Sequence, residues 1–236
     1  MIAKPATPAD RLIVALDVPT IAEAEAMIAR LGGSVGVYKI GLELILGRGV
    51  ELAERLVGKG KRVFLDAKLL DIDNTVSKAV ANAVRLGVAF LTIHGYPKAM
   101  RAAVAARGDA SLQLLAVTVM TSMDDADIAA AGYQGTARDR VLARAADAKA
   151  AGMGGIVASP QEVAAIRELV GPDIVLVTPG IRPAGAAMGD QKRAATPADA
   201  IKAGADYLVV GRPITEAGDP RASAEAILEE IAAAPA

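Results

Sequence analysis

The chain has 236 residues, 53% of them hydrophobic but only 3% aromatic, with no Cys and no Trp, so its core is aliphatic and held without disulfides or thiolate-bound metal. Lys and Arg number 26 against 27 Asp and Glu, a formal net charge of -1, which leaves no global field for nucleic acid or an anionic membrane and confines any anion site to a local patch. No apolar run, Leu112 to Met120 included, approaches the roughly 18 to 20 residues of a membrane span, and Met1 to Asp10 lacks the layout of a signal peptide, so a soluble, cytoplasmic protein is expected.

Residues 1–10 read as a loosely ordered lead. Beyond them, short runs of Val, Ile and Leu alternate with longer Ala-rich segments whose charges recur at helical spacing, the pattern of repeated strand–helix units. The first predicted strand, Leu12 to Val18, carries Asp17; Thr20 and Glu23 follow, a hydroxyl three residues before an acid, as at helix starts. The second, Val35 to Ile40, carries Lys39. The third, Arg62 to Lys68, holds Asp66 and Lys68, with Asp71 just beyond. Strand alternation places Asp66 and Lys68 on one side, toward the same ligand.

The fourth strand, Phe90 to Gly95, delivers His94, the single histidine of the chain, which rules out a metal site built from several histidines. His94 reads as a hydrogen-bonded rim residue, with general acid or base as the second option. The fifth strand, Leu112 to Met120, leads into Thr121 and Ser122, which suit a heterocycle. After the sixth, Gly155 to Ser159, the run Ser159, Pro160 and Glu162 predicts a capped helix start. The seventh, Ile174 to Gly180, continues into Ile181-Arg182-Pro183, and the eighth, Tyr207 to Gly211, into Arg212-Pro213. Glycines beside arginines at the last two strand ends point to a phosphorylated ligand. The long loop between them, with Gly185, Gly189, Asp190 and Gln191, reads as a lid, and Thr196, Pro197 and Asp199 mark the next helix.

Eight strand–helix units with no linker between them predict one α/β domain over 1–236, a single (β/α)8 TIM barrel. An open doubly wound sheet would want a glycine-rich first turn, and Leu16-Asp17-Val18-Pro19-Thr20 has no glycine. Barrel chemistry sits at the C-terminal strand ends, where Asp17, Lys39, Asp66, Lys68 and Asp71 converge.

The run Asp66-Ala67-Lys68-Leu69-Leu70-Asp71-Ile72-x-x-Thr75 resembles the Asp-x-Lys-x-x-Asp-Ile-x-x-Thr signature of the bacterial orotidine 5'-monophosphate decarboxylase family. The resemblance extends through Leu16-Asp17-Val18-Pro19, Tyr38-Lys39-Ile40-Gly41, Thr178-Pro179-Gly180-Ile181-Arg182-Pro183, Gly189-Asp190-Gln191 and Val210-Gly211-Arg212-Pro213-Ile214-Thr215. It implies a cofactor-free lyase that converts orotidine 5'-monophosphate to uridine 5'-monophosphate and carbon dioxide in pyrimidine biosynthesis. Lys39, Asp66 and Lys68 would form a catalytic charge array, completed by Asp71 from the partner in a homodimer. Asp17 would bind the ribose, as would Thr75 across the interface. Thr121 and Pro179 would border the base, and Gln191, Gly211 and Arg212 would hold the phosphate, with Arg182 beside them. His94-Gly95-Tyr96-Pro97 departs from the small-residue run that follows this histidine in the family.

Three other functions fit a barrel with such residues. A related group of sugar-phosphate enzymes shares Asp-x-Lys-x-x-Asp but uses magnesium, with a Glu where this chain has Lys39; an ammonium there repels the cation. Schiff-base aldolases need an amine without its proton, and Lys68 flanked by two acids is the wrong setting. A noncatalytic phosphate-ligand binder is the third.

Overall fold

The computed structural model describes residues 4–183 and 195–234. Among them, β1 (Leu12–Ala15), β2 (Val37–Ile40), β3 (Arg62–Leu69), β4 (Phe90–His94), β5 (Gln113–Val117), β6 (Gly155–Val157), β7 (Val175–Thr178) and β8 (Tyr207–Val210) each pair in parallel with the next. The sheet closes on itself where Leu12, Ile13 and Val14 face Leu208, Val209 and Val210. The helices that follow the strands are α1 (Ile21–Leu31), α2 (Val50–Gly58), α3 (Asp73–Leu86), α4 (Pro97–Arg107), α5 (Ala137–Ala150), α6 (Val163–Val170), α7 (Pro197–Lys202) and α8 (Pro220–Ala233). The architecture is the (β/α)8 barrel that the strand–helix repeat predicts, and no described helix is long and apolar enough to cross a membrane.

Strands apolar on both faces supply two core layers, because alternate side chains point to opposite sides. In β1, Ile13 and Ala15 enter the barrel interior with Phe64, Phe90, Leu115 and Val177, whereas Leu12 and Val14 join the layer beneath the helices. The α1 helix shows the matching logic: Thr20 caps the Glu23 N–H, Ala24, Met27 and Leu31 form the buried stripe, and Gly32 at φ 61° ends it.

Aromatic residues are few, and several are spent on the floor of the barrel. The Phe90 ring lies 5.9 Å from Phe64 and 5.2 Å from Tyr207, and Arg62 covers both Phe90 and Tyr207 while donating to the Tyr207 hydroxyl at 3.0 Å. Asp10 meets Arg62 at 3.7 Å from a short helix, Pro8–Arg11, that a reciprocal Thr7–Asp10 box caps. The last part of the lead anticipated as loose is thus a capped turn against the barrel floor. Phe90→Ala is expected to cost about 3–5 kcal/mol of stability by leaving a cavity in this floor. Urea unfolding measures it, and a loss under about 1 kcal/mol would mean that Phe90 is not packed as described.

One predicted helix start is corrected. Ser159 and Glu162 do bond to each other, but as a buried turn in which the Glu162 N–H also donates to the Ser159 carbonyl. The α6 helix begins only at Val163, so Pro160 lies in the turn rather than in the first helical position. A local hydroxyl-to-acid spacing fits both a capping box and a turn. Seven strands are also shorter than predicted, β5 ending at Val117 rather than Met120, whereas β3 runs one residue further, to Leu69.

Candidate active site

At the C-terminal end of the barrel the strand ends surround a cavity of about 520 Å³. Asp17, Lys39, Asp66, Lys68, Thr121, Ser122, Pro179, Gly180, Arg182, Gly211 and Arg212 all line it, and all were named from sequence. Its charged lining is Lys39, Lys68, Arg182 and Arg212 against Asp17, Asp66 and Glu216, a cationic excess that the near-neutral chain as a whole does not show.

Four of these charges form one continuous row. Lys39, on β2 and buried, donates to Asp17 Oδ1 at 2.9 Å and lies 3.6 Å from Asp66 Oδ2. Lys68 Nζ reaches the same Asp66 oxygen at 2.8 Å. The order is therefore Asp17, Lys39, Asp66, Lys68, alternating in sign. Gly41 packs closely beneath it: a Cβ there would stand 3.1 Å from both Asp17 Oδ1 and Lys39 Nζ, so any side chain would press on this pair. Asp66 is only 8% exposed. Burial pushes its carboxyl up, but the charges of Lys39 and Lys68 and the hydrogen bonds from Lys68 and Thr92 outweigh that and hold it below its ordinary value.

The meeting of Asp66 with Lys68 does not come from regular strand alternation. Between the register pairs Leu65↔Leu91 and Leu69↔Ile93, the residues Asp66, Ala67 and Lys68 all face the single residue Thr92, so β3 bulges. Lys68 sits at φ 47°, the left-handed region that side chains rarely adopt. Such a residue costs roughly 1–3 kcal/mol, and bulges and strain of this kind concentrate at functional sites. Thr92 was missed in the sequence reading, although a hydroxyl inside Phe90-Leu91-Thr92-Ile93 was a visible polar interruption.

On the anion-binding side, Gly180 adopts φ 79°, a conformation strained for any residue with a side chain, and this bend carries the chain from Pro179 to Arg182. Arg182 is largely buried, donates to the Ile181 carbonyl at 3.0 Å, and is anchored by its own N–H on the Ala195 carbonyl. Gly211 precedes a short helix, Arg212–Thr215, from which Arg212 lines the cavity. Gln191, Gly185, Gly189 and Asp190, in the segment read as a lid, lie outside the described residues.

Asp71 and Thr75 do not line their own chain's cavity. Both are exposed, and Asp71 Oδ1 accepts from the Ile72 N–H. His94 is half-buried at the end of β4 and belongs to a neighbouring cavity of about 230 Å³ with Tyr96, Tyr133 and Arg144. Burial, then the charges of Arg144 and Lys68, push the imidazole below its ordinary value against the pull of Asp66, which favours the neutral ring at pH 7. Arg144 stacks on Tyr96 and Tyr133 at 4.9 and 5.5 Å and donates to the Thr118 carbonyl, and the two phenols share a hydrogen bond at 2.7 Å. The loop that departs from the small-residue run is thus built into an Arg–Tyr clamp beside Val119 and Met120, which line both cavities. Sequence spacing carried no signal for this contact between distant segments.

Residues 10–227 match the profile of the "Orotidine 5'-phosphate decarboxylase / HUMPS family". A protein of Rhodopseudomonas palustris (strain ATCC BAA-98 / CGA009) named orotidine 5'-phosphate decarboxylase is 60% identical over 225 residues, covering 95% of each chain. One of the same name from Bradyrhizobium sp. (strain ORS 278) is 58% identical over 227 residues, covering 96% of this chain and 93% of the relative. The crystal structure of orotidine 5'-phosphate decarboxylase from Lactobacillus acidophilus superposes with a TM-score of 0.83 at 34% identity, covering 98% of this chain and 100% of that one. Sequence likeness at this level, carried along almost the entire barrel, means that the chain belongs to the orotidine 5'-phosphate decarboxylase / HUMPS family.

Proposed function

We propose that the chain is an orotidine 5'-phosphate decarboxylase that yields uridine 5'-phosphate and carbon dioxide without a cofactor, the step that completes a pyrimidine nucleotide. The observation that carries this reading is the alternating row Asp17–Lys39–Asp66–Lys68 on the wall of a cavity that also holds Arg182 and Arg212. Breaking the bond between C6 and its carboxyl group leaves the electron pair in the plane of the ring, where the π-system does not delocalise it. An ammonium beside C6 stabilises that pair as it forms and then donates its proton to C6, while carbon dioxide departs and water restores the ammonium. Lys68 takes this role, Asp66 and Lys39 hold its neighbourhood in place, and Asp17 meets the ribose. Thr121 and Pro179 border the base; Gln191, Gly211, Arg212 and Arg182 hold the phosphate.

The site is completed in a homodimer, where Asp71 of the partner subunit extends the row beyond Lys68 and Thr75 of the partner subunit adds a ribose contact. The exposure of Asp71 and Thr75 away from their own cavity, flanked by Leu70 at 50% and Ile72 at 71% exposed, supports this arrangement. Against the magnesium-using branch stands Lys39, whose ammonium lies between Asp17 and Asp66 where a cation would need those oxygens.

Turnover of orotidine 5'-phosphate by the purified chain in excess chelator tests the reading. Release of carbon dioxide supports it, dependence on added magnesium transfers the chain to the other branch, and nucleotide binding without turnover leaves a binder. Arg212→Ala is expected to lower kcat/KM by about 10- to 100-fold, the worth of a charge-assisted phosphate contact, with most of the change in KM. Unchanged kinetics would remove Arg212 from the phosphate site.

A further inference from the structure

Thr92 stands on β4, fully buried, and does not line the cavity. Its hydroxyl nevertheless joins the two central members of the charge row. It donates to Asp66 Oδ1 at 2.9 Å, leaving Oδ2 to Lys68 and Lys39, and accepts the backbone N–H of Lys68, also at 2.9 Å. A hydroxyl has one proton to give and lone pairs to receive, so it can do both at once; an apolar side chain does neither. Both contacts fall where β3 leaves its regular register, and the N–H that Thr92 receives belongs to the residue at φ 47°. Without the bulge three residues could not face one, and without Thr92 the N–H of the displaced Lys68 would lose its partner in a partly buried setting.

Resting on the decarboxylase reading, we infer that Thr92 is a positioning residue: its hydroxyl ties the backbone of Lys68 to the carboxylate of Asp66 and so fixes the ammonium at its distance from the reacting carbon. It acts through these two groups and does not touch the nucleotide. Displacement of a catalytic group by about 1 Å costs on the order of 100-fold in rate, so the effect belongs in kcat rather than in substrate capture.

A pair of variants separates this role from packing. Thr92→Val keeps the shape and loses the hydroxyl; Thr92→Ser keeps the hydroxyl and loses a buried methyl. If packing were all that mattered, Val would outperform Ser. Positioning predicts the reverse: kcat falls about 100-fold in Val with KM within about threefold, and Ser stays within about fivefold of the parent. Equal losses in both, a larger loss in Ser, or a Val loss confined to KM would overturn the inference. Should Val fail to fold, Thr92→Cys, with a weakly bonding thiol of similar size, takes its place and must also fall below Ser.

A second readout does not depend on the reaction. Carbon-13 NMR titration of the Asp66 carboxyl should move upward in Val, which has lost a donor to the carboxylate, and stay near the parent in Ser. An unmoved Asp66 in Val would overturn the proposed tie. Absence of turnover in the parent would sink the decarboxylase reading alone, leaving the titration to decide whether Thr92 holds the pair.

Discussion

Lys68→Ala is expected to reduce kcat by more than about 10⁴-fold, because one side chain supplies both the proton, commonly worth 10²–10⁴, and the charge that stabilises the carbanion, commonly worth 10²–10³. The fold should survive. Lys68 is partly exposed at the cavity, its ammonium contacts one oxygen of Asp66, and the barrel's two core layers lie elsewhere. Circular dichroism and urea unfolding check the fold, while carbon dioxide release in a single turnover checks the chemistry. In D₂O the parent should place deuterium on C6 of the product. A variant with more than about a tenth of the parent kcat would be incompatible with Lys68 as proton donor, since even the weakest general acids contribute about 10².

Asp66→Asn should rank next, with kcat lower by about 10²–10³, the usual loss when one preorganised electrostatic group is removed. The amide matches the carboxylate in size but lacks its charge, leaving Lys39 and Lys68 to repel each other. It also offers N–H groups to partners that themselves donate. A kcat within about threefold of the parent would show that the row needs no central charge.

The same substitution has a pH signature. Burial raises the Asp66 carboxyl, but the two lysines and the hydrogen bonds prevail, so its folded value lies below the unfolded one. The stabilisation it contributes is therefore present above the ordinary carboxylate range near 3.8 and is lost as pH falls through the depressed folded value. Urea unfolding from neutral pH downward should show this acid loss in the parent and a shallower one in Asp66→Asn. Parallel curves would place the pairing energy of Asp66 elsewhere.

The barrel was legible because its determinants are local and repeated. Val–Ile–Leu runs at a strand's length, followed by segments with a helical apolar stripe, have few ways to bury both faces, and helix starts such as Thr20 and Thr196 announce themselves within four residues. The cavity wall was legible for a related reason: Asp17, Lys39, Asp66 and Lys68 are charges among apolar neighbours at strand ends, and parallel strands bring those ends together. Where two structures satisfy the same local pattern, sequence alone did not choose between them. Ser159 and Glu162 can cap a helix or close a turn, and the turn prevails here.

Length, composition and the eight strand–helix units thus determined the barrel and the identity of the groups at its mouth. Only the tertiary structure decided how those groups meet. The bulge of β3 against β4, the Thr92 hydroxyl beneath the left-handed Lys68 and the Arg144 clamp on Tyr96 join segments more than 20 residues apart in the chain. Alternation along a strand tells which side a residue faces; register between neighbouring strands tells what stands opposite, and that is settled only when the sheet closes.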